Sequence, residues 1–276
     1  MKSGRGSVLL SAPKHEPVEV RGGAVQQPAG GVAVDIRGLR KSYNGVAVLR
    51  GVDLHIDAGE IMVIVGGSGE GKSVLLRHIA GLETPEAGSI HLDSMDLRDY
   101  LALPPGKKPF RLSMVFQSAA LLNSMTVAEN VSLRLREHHT RPPREIARIV
   151  ATCLEQVDMS GTEHKLPGDL SGGMRKRVAI ARALAVEPQI ILYDEPTADL
   201  DPILTEQIGE LVKRIQETRG TTQVIVAHNL QLATHIGTHI AVLHDGVIVD
   251  YVPAKDLSRS PNAHTQEFIR AANLNL

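Results

Sequence analysis

The sequence predicts an α/β fold in which a mainly parallel sheet forms the core, an antiparallel β region precedes it and a helical subdomain is inserted into it. The parallel core is indicated by short apolar runs that alternate along the chain with stretches of helical periodicity. These runs are Ile61–Val65, Ile190–Tyr193 and Val224–Ala227. Each has the length of a buried strand and is far shorter than the ~20 residues that a membrane-spanning helix needs.

Composition narrows the class of protein. The length of 276 residues allows one large domain or two modest ones. The hydrophobic share of 42% is enough for a sizeable core. Its 30 Lys and Arg residues nearly balance its 31 Asp and Glu residues, so we expect no nucleic-acid partner. The single cysteine, Cys153, excludes an internal disulfide and fits a reducing compartment. Its place on an apolar helix face predicts a core residue rather than a reactive thiol.

The amino-terminal region divides into a tail and a β region. Residues 1–31 are rich in Gly, Ser, Pro and Gln without periodicity, which predicts a flexible tail before a domain at 32–276. The apolar run Val8–Leu10 is too short for a signal peptide. Alternating apolar residues then predict two half-buried strands ahead of Ile61–Val65. The alternating residues are Val32, Val34 and Ile36 in the first strand and Val52, Leu54 and Ile56 in the second.

The eight residues after Ile61–Val65 match the phosphate-binding loop pattern, between a predicted strand and a predicted helix. Glycines in such a loop let backbone N–H groups surround phosphates, Lys72 reaches the β- and γ-phosphates, and the Ser73 hydroxyl binds Mg²⁺. An ordinary glycine-rich turn does not require this spacing. We expect Glu70 to point to solvent, and Gly81 to cap the helix that follows. The loop is Gly66, Gly67, Ser68, Gly69, Glu70, Gly71, Lys72 and Ser73.

The middle of the chain is predicted to be helical. Short strands are predicted around Ser89–Leu92 and Leu112–Phe116, and a helical subdomain over about residues 118–168. The run Leu170–Met174 then opens another helix with a serine and two glycines, exposing backbone N–H groups as a phosphate requires. Alone this run could be an ordinary cap. With a second phosphate-type loop upstream, the chain either binds two phosphates or shares one nucleotide between two copies.

Two carboxylates end the strand Ile190–Tyr193. One of Asp194 and Glu195 can organise Mg²⁺ and its waters, and the other can orient an attacking water as a general base. Asp201 and Pro202 then start a helix with the predicted buried stripe given below, and Gly220 ends it. An Asp245-Gly246 turn predicts a hairpin near the end. The stripe is Ile203, Leu204, Ile208, Leu211, Val212 and Ile215.

Three single residues are weaker candidates. Gln117 and His228 each follow a predicted strand, at the edge where open α/β sheets bind ligands. Tyr43 lies in a Tyr-Asn-Gly turn, where it either stacks on an adenine or closes a hairpin. The sequence leaves these two possibilities open.

In this order, the motifs resemble those of ABC-type ATPase subunits, a class of P-loop NTPases, from about Val32 onward. The resemblance implies an enzyme that binds ATP with Mg²⁺ and hydrolyses it. It implies that Asp194 organises Mg²⁺, that Glu195 is the catalytic base and that His228 contacts the γ-phosphate. Gln117 would sense Mg²⁺ and couple to a membrane subunit. The implied catalytic residues are Lys72, Gln117, Glu195 and His228, and the implied metal-site residues are Ser73, Gln117 and Asp194.

The resemblance also implies a homodimer. Leu170–Met174 matches the family signature, which completes the ATP site of the other protomer, and Ala198–Asp201 matches a loop that crosses between protomers. Tyr43 would stack on the adenine. Three residues depart from the family pattern, namely Met174, Asp199 and Val74, and none is a catalytic group. The implied nucleotide contacts are Tyr43, Gly66, Gly67, Ser68, Gly69, Glu70, Gly71, Lys72, Ser73, Val74, Ser171, Gly172 and Gly173.

A finer resemblance is to the ATPases of MCE-type (Mla-like) lipid transporters. It implies a subunit that powers phospholipid or related lipid movement between bacterial membranes, at the cytoplasmic face of the inner membrane and held there by a permease. It also implies an MCE lipid-binding subunit and leaves room for a small regulatory subunit. The resembling runs are Gly71–Ile79, Gln117–Leu122, Leu135–His138 and Leu170–Arg177.

Other ABC classes remain as alternatives. An amino-acid importer ATPase or a lipoprotein-release ATPase would share every catalytic residue. A DNA-repair or chromosome ATPase would carry a long coiled coil between Gln117 and Ser171, where only about fifty residues lie without sustained heptads. A translation-associated protein of this family would normally have two cassettes, and this chain has room for one.

Overall fold

The computed structural model describes residues 30–137 and 141–272. The predicted tail, residues 1–31, lies outside the described residues except for its last two positions. From Val32 onward the predicted alternation is confirmed, because Val32, Val34 and Ile36 are buried while Arg37 is exposed.

Four strands form an antiparallel sheet. They are β1 (Val34–Tyr43), β2 (Val46–Ile56), β4 (Ala87–Leu92) and β5 (Met95–Asp96), in the order β2-β1-β4-β5. Strands β1 and β2 are joined by Asn44 and Gly45, whose φ values of 51° and 79° suit the tight turns that connect twisted hairpins. This sheet confirms the predicted antiparallel region.

Six strands form a second, mainly parallel sheet. They are β3 (Ile61–Val65), β6 (Leu112–Val115), β7 (Ile190–Asp194), β8 (Thr222–Val226), β9 (His239–His244) and β10 (Val247–Pro253). Their order is β10-β9-β3-β8-β7-β6, and only the β9–β10 hairpin pairs antiparallel. Its turn is at Asp245 and Gly246, as predicted. Because β3, β8, β7 and β6 run parallel, their carboxyl ends meet at one edge.

Eight α-helices surround the sheets within the described ranges. They are α1 (Lys72–Ile79), α2 (Leu97–Ala102), α3 (Val127–Glu137), α4 (Pro143–Gln156), α5 (Gly172–Leu184), α6 (Pro202–Arg219), α7 (Leu230–Ile236) and α8 (Ala263–Ala271). Helices α3 and α4 lie in the interval predicted as a helical subdomain. Alternate residues of β3 face different cores: Ile61 and Val63 pack with the helices α3–α7, and Met62 and Ile64 pack with α1 and the antiparallel sheet.

Two local predictions need correction. Ile203, predicted in the buried stripe of α6, is 69% exposed. Ile203 lies in the first turn of α6. Its neighbour Leu204 packs beside Gly173, whereas the Ile203 side chain points away from the core. Gly81 follows the helix cap Ala80 rather than forming it, in a left-handed conformation (φ 69°). Strand β5 and helix α2 were not predicted, because both are too short for a clear periodicity.

Cys153 is buried on α4, as predicted, and burial raises the pKa of its thiol to about 11. Its thiol therefore stays protonated at neutral pH. Within residues 30–137 and 141–272, no helix combines the length and the apolar character that crossing a bilayer demands.

Candidate functional site

The predicted phosphate-binding loop connects β3 to α1. The chain leaves Val65 through Gly66, where a Cβ atom would lie 2.2 Å from the carbonyl oxygen of Leu243, so no side chain fits there. At Gly71, which caps α1, φ is 96° and a Cβ atom would lie 2.9 Å from Val48 Cγ1. These two glycines allow the backbone of the loop to lie close to β9 and β2.

Lys72 is held inside the loop. Its buried ammonium donates hydrogen bonds to the carbonyl oxygens of Gly66 (2.9 Å) and Gly67 (2.7 Å). Burial lowers the pKa of Lys72, and the negative charges of Glu195, Glu70 and Asp194 oppose that shift. The loop lysine and the predicted carboxylates therefore form one electrostatic cluster, although they are over a hundred positions apart in sequence.

Ser73 and Asp194 join the loop to the end of β7. The Ser73 hydroxyl donates a 2.6 Å hydrogen bond to Oδ1 of Asp194. This pair offers a hydroxyl and a carboxylate oxygen side by side, the donor types that Mg²⁺ prefers. In the described part of the chain, no group of three or more His, Cys, Asp and Glu residues could hold a metal. The pair nonetheless fits Mg²⁺, which is usually bound by one or two protein oxygens together with phosphates and waters.

Glu195 meets His228 at the same sheet edge. Oε2 of Glu195 lies 2.8 Å from Nδ1 of His228, and the Glu195 N–H donates to the carbonyl oxygen of Val226 (3.0 Å). Glu195 has a φ of 47°, unusual for a residue with a side chain, and such conformations gather at functional sites. The Glu195 side chain is 13% exposed and that of His228 66% exposed, so the pair lies between the core and solvent.

Gln117 follows β6 and is exposed. Its backbone carbonyl accepts a hydrogen bond from Nζ of Lys176, a buried residue of α5 that the sequence reasoning did not select. A signal was available: Lys176 lies three residues after Gly173 and four before Ile180, both buried, so a basic residue occupies the apolar face of the helix.

Comparison with known proteins identifies the family. Residues 49–198 match the profile of the family described as ABC transporter.

The chain belongs to the ABC transporter family.

It is an ABC ATPase, and its relatives carry several transport names. It is 37% identical over 253 residues to the probable ribonucleotide transport ATP-binding protein mkl of Mycobacterium leprae, covering 92% of this chain and 73% of that protein. It is 40% identical over 236 residues to the methionine import ATP-binding protein MetN of Clostridium acetobutylicum, covering 86% and 73%.

Solved structures agree with the fold. The ABC transporter cassette MJ0796, described as dimeric, superposes with a TM-score of 0.72 at 33% identity, over 80% of this chain and 98% of that one. A dimeric post-hydrolysis structure of the same cassette, bound to ADP and Pi, gives a TM-score of 0.71 at 33% identity, over 80% and 98% of the chains.

The signature segment of this ABC ATPase begins α5. Ser171 is the N-cap, and its Oγ accepts a 3.3 Å hydrogen bond from the Met174 N–H. Ser171 is exposed and Gly173 is buried against Leu204. The Ser171 side chain therefore faces solvent at the start of α5, where backbone N–H groups favour an anion.

Tyr43 closes the first hairpin of the ABC ATPase, which was one of its two predicted roles. Its Cα pairs with that of Val46, and its hydroxyl donates to Oε2 of Glu83. Glu83 also accepts a 2.6 Å hydrogen bond from Arg77 of α1. Tyr43 is 38% exposed, and the ammonium of Lys41 lies over its ring, 5.4 Å from the centroid. Adenine stacking stays a prediction.

Glu70 of the loop differs from the prediction, and Val74 lies on α1. Glu70 does not point to solvent: it accepts a hydrogen bond from the Asp245 N–H and lies 3.2 Å from His244 Nδ1, so it ties the loop to the β9–β10 hairpin. The side chain of Val74 packs against the core shared by α1 and the antiparallel sheet. Its predicted contact with a nucleotide stays a prediction.

Proposed function

We propose that two copies of this ABC ATPase close head to tail around two ATP molecules. Each site would combine the Lys72–Glu195 cluster of one copy with Ser171, Gly172 and Gly173 of the other. The observation that carries the proposal is the meeting of Ser73 with Asp194 (2.6 Å) beside Glu195 with His228 (2.8 Å). The exposed Ser171 supports completion of each site by a second molecule.

The chemistry follows from the positions of these groups. Lys72 and the backbone N–H groups of the loop bind the β- and γ-phosphates. The Glu195 carboxylate orients the attacking water and takes its proton while the γ-phosphoryl is transferred. His228 holds one Glu195 oxygen by its hydrogen bond and leaves the other for the water. On this proposal the exposed His228 ring also contacts the γ-phosphate.

Mg²⁺ has a proposed place in this scheme. Ser73 and Asp194 would hold the ion directly or through water, with Gln117 as a further contributor. When bound, Mg²⁺ supplies positive charge that neutralises the β- and γ-phosphate oxygens.

A mixing experiment tests the shared site. We expect Ser171→Arg and Lys72→Ala homodimers to be inactive. In a 1:1 mixture about half of the dimers are mixed, and each mixed dimer has one site with an intact Lys72 and a partner's intact Ser171. We therefore expect about one quarter of the wild-type number of working sites. Phosphate release measures the recovery. Full activity of the Ser171→Arg protein alone, or no recovery on mixing, contradicts the shared site.

We further propose that the transporter moves phospholipids or related lipids between bacterial membranes. The support is Met174 in the signature and the sequence runs that resemble MCE-type ATPases. On this proposal, the chain lies at the cytoplasmic face of the inner membrane through its permease, with an MCE lipid-binding subunit and room for a small regulatory subunit. Amino-acid import is the second candidate, favoured by the 40% identity to the MetN protein.

Purification from membranes distinguishes these cargo classes. A tagged chain is isolated in mild detergent, with the Lys72→Ala variant as a matched preparation, and its stoichiometric partners are identified. A permease with an MCE subunit, together with ATPase stimulation by phospholipid vesicles, supports lipid transport. A periplasmic amino-acid-binding protein, or stimulation by a ribonucleotide or methionine, contradicts it.

A further inference from the structure

Lys176 connects three segments of the proposed site. It lies on α5, the helix that begins at the signature Ser171, and its side chain is buried (7% exposed). Its Nζ donates to the carbonyl oxygen of Gln117 and lies 3.5 Å from that of Glu195. One ammonium thus contacts the backbone of two residues whose side chains are proposed to act on ATP.

Burying the Lys176 ammonium costs hydration free energy that an apolar side chain at this position would not lose. Burial lowers the pKa of Lys176, and the carboxylates of Asp199, Glu195 and Asp194 oppose that shift. A buried ammonium is tolerated where hydrogen bonds and opposite charges compensate for lost hydration. Both kinds of compensation here come from the catalytic edge of the sheet.

The backbone that Lys176 contacts is strained. Glu195 has a φ of 47°, and Ala119 and Ala120, just after Gln117, have φ values of 62° and 46°. Side-chain-bearing residues keep such conformations only when their surroundings hold them. A second basic residue of α5 does this for the alanines: Arg182 donates to the carbonyl oxygens of Ala119 (2.8 Å) and Ala120 (2.6 Å).

We propose that Lys176 is a positioning residue that places Gln117 and Glu195 of its own chain from the signature helix. This inference rests on the proposed roles of Gln117 and Glu195. Since the same helix presents Ser171 to the partner's nucleotide, Lys176 connects the catalytic edge of one site to the signature that completes the other.

The first test separates positioning from binding. Lys176→Met keeps the length of the side chain and removes the hydrogen bonds and the charge. We expect kcat to fall about tenfold, with KM for ATP changed less than about twofold, and Lys176→Arg to recover part of the loss. Lys213→Met, the same change at a half-buried lysine of α6 that lies 4.0 Å from Glu210, is the control and should keep the wild-type kcat. An unchanged kcat for Lys176→Met overturns the inference.

The second test uses the one-site mixed dimer of Ser171→Arg and Lys72→Ala chains. Its working site takes Lys72 and Glu195 from the Ser171→Arg chain and the signature from the Lys72→Ala chain. Lys176→Met added to the Ser171→Arg chain should lower turnover about tenfold, and the same change in the other chain should have little effect. The opposite pattern, equal loss in both chains or no loss in either overturns the inference.

The two proposals can fail separately. If the mixed dimer is inactive before Lys176 is changed, the shared site fails, and the kcat and KM of the homodimeric Lys176→Met protein still test positioning. The ATP-dependent dimer that the Glu195→Gln protein should form gives a readout besides turnover. Lys176→Met should leave that dimer intact on gel filtration, whereas loss of the dimer would show that Lys176 only maintains the signature helix and would overturn its positioning role.

Discussion

Nδ1 of His228 lies 2.8 Å from Oε2 of Glu195, so the residues that follow two neighbouring parallel strands meet across the carboxyl edge of the sheet. Strand β7 ends one residue before Glu195, and β8 ends two residues before His228. His228 holds the Glu195 carboxylate from the solvent side. Asp194, the residue before Glu195, accepts a hydrogen bond from the Ser73 hydroxyl. This arrangement brings Glu195, the proposed base, and Asp194, the proposed metal-site carboxylate, together with the phosphate-binding loop in one cluster.

Glu195→Gln should lower ATP turnover by about 10²-fold or more, because the amide cannot accept the proton of the attacking water. ATP affinity should change little, since the loop and Lys72 are intact. Phosphate release and binding of a fluorescent ATP analogue measure the two effects. Glu210→Gln, which changes a surface glutamate also paired with a histidine, is the control. Wild-type turnover in Glu195→Gln would exclude Glu195 as the base.

His228→Ala should lower kcat by about 10- to 100-fold with a smaller effect on ATP binding, because the carboxylate of Glu195 loses its hydrogen-bond partner. In a Glu195→Gln background the same change should add little, since the two residues act together. His235→Ala removes the histidine of the surface pair with Glu210 and should be neutral. Additive losses in the double variant would contradict the coupling.

Gly66→Ala should destabilise the protein by more than about 2 kcal/mol and abolish ATP binding. The reason is steric: the new Cβ atom would lie 2.2 Å from the backbone oxygen of Leu243, which cannot move without displacing β9. Gly106→Ala, with no atom within 4 Å of its Cβ position, is the matched control and should change stability by less than about 0.5 kcal/mol. Thermal unfolding and ATP titration measure both. An unchanged melting temperature in Gly66→Ala would disprove the close approach.

The Cys153 thiol should resist alkylation by iodoacetamide at pH 8 while the protein is folded. Its pKa is raised to about 11 by burial, so little reactive thiolate is present, and the side chain is also inaccessible. Unfolding in guanidinium chloride should restore an ordinary pKa and permit labelling, which mass spectrometry detects. Because the pKa of Cys153 is higher in the folded than in the unfolded protein, burial of the neutral thiol contributes to the free energy of unfolding fully below the unfolded pKa. This contribution is lost as the pH rises towards 11. Rapid labelling of the folded protein would contradict its burial.

Local signals predicted much of this molecule correctly. Strand β3 has the predicted bounds, and Asp201, Pro202 and Gly220 begin and end α6 where the sequence indicated. These features depend on neighbouring residues: apolar run length, a side chain that accepts from Leu204 N–H, and a glycine in the left-handed region. The exposed Ile203 was predicted wrongly because periodicity describes a helix face and does not show where the packing partner ends.

The order and spacing of motifs determined, from the sequence by itself, the α/β fold and the identity of the phosphate loop, because each motif is a local arrangement of backbone and side chain. Tertiary structure alone decided what meets at the sheet edge. It turned Glu70 towards Asp245, paired Glu195 with His228, and brought Lys176 to the carbonyl of Gln117. Those contacts join residues 33 to 175 positions apart, and their geometry depends on strand order and helix packing, which no short stretch of sequence specifies.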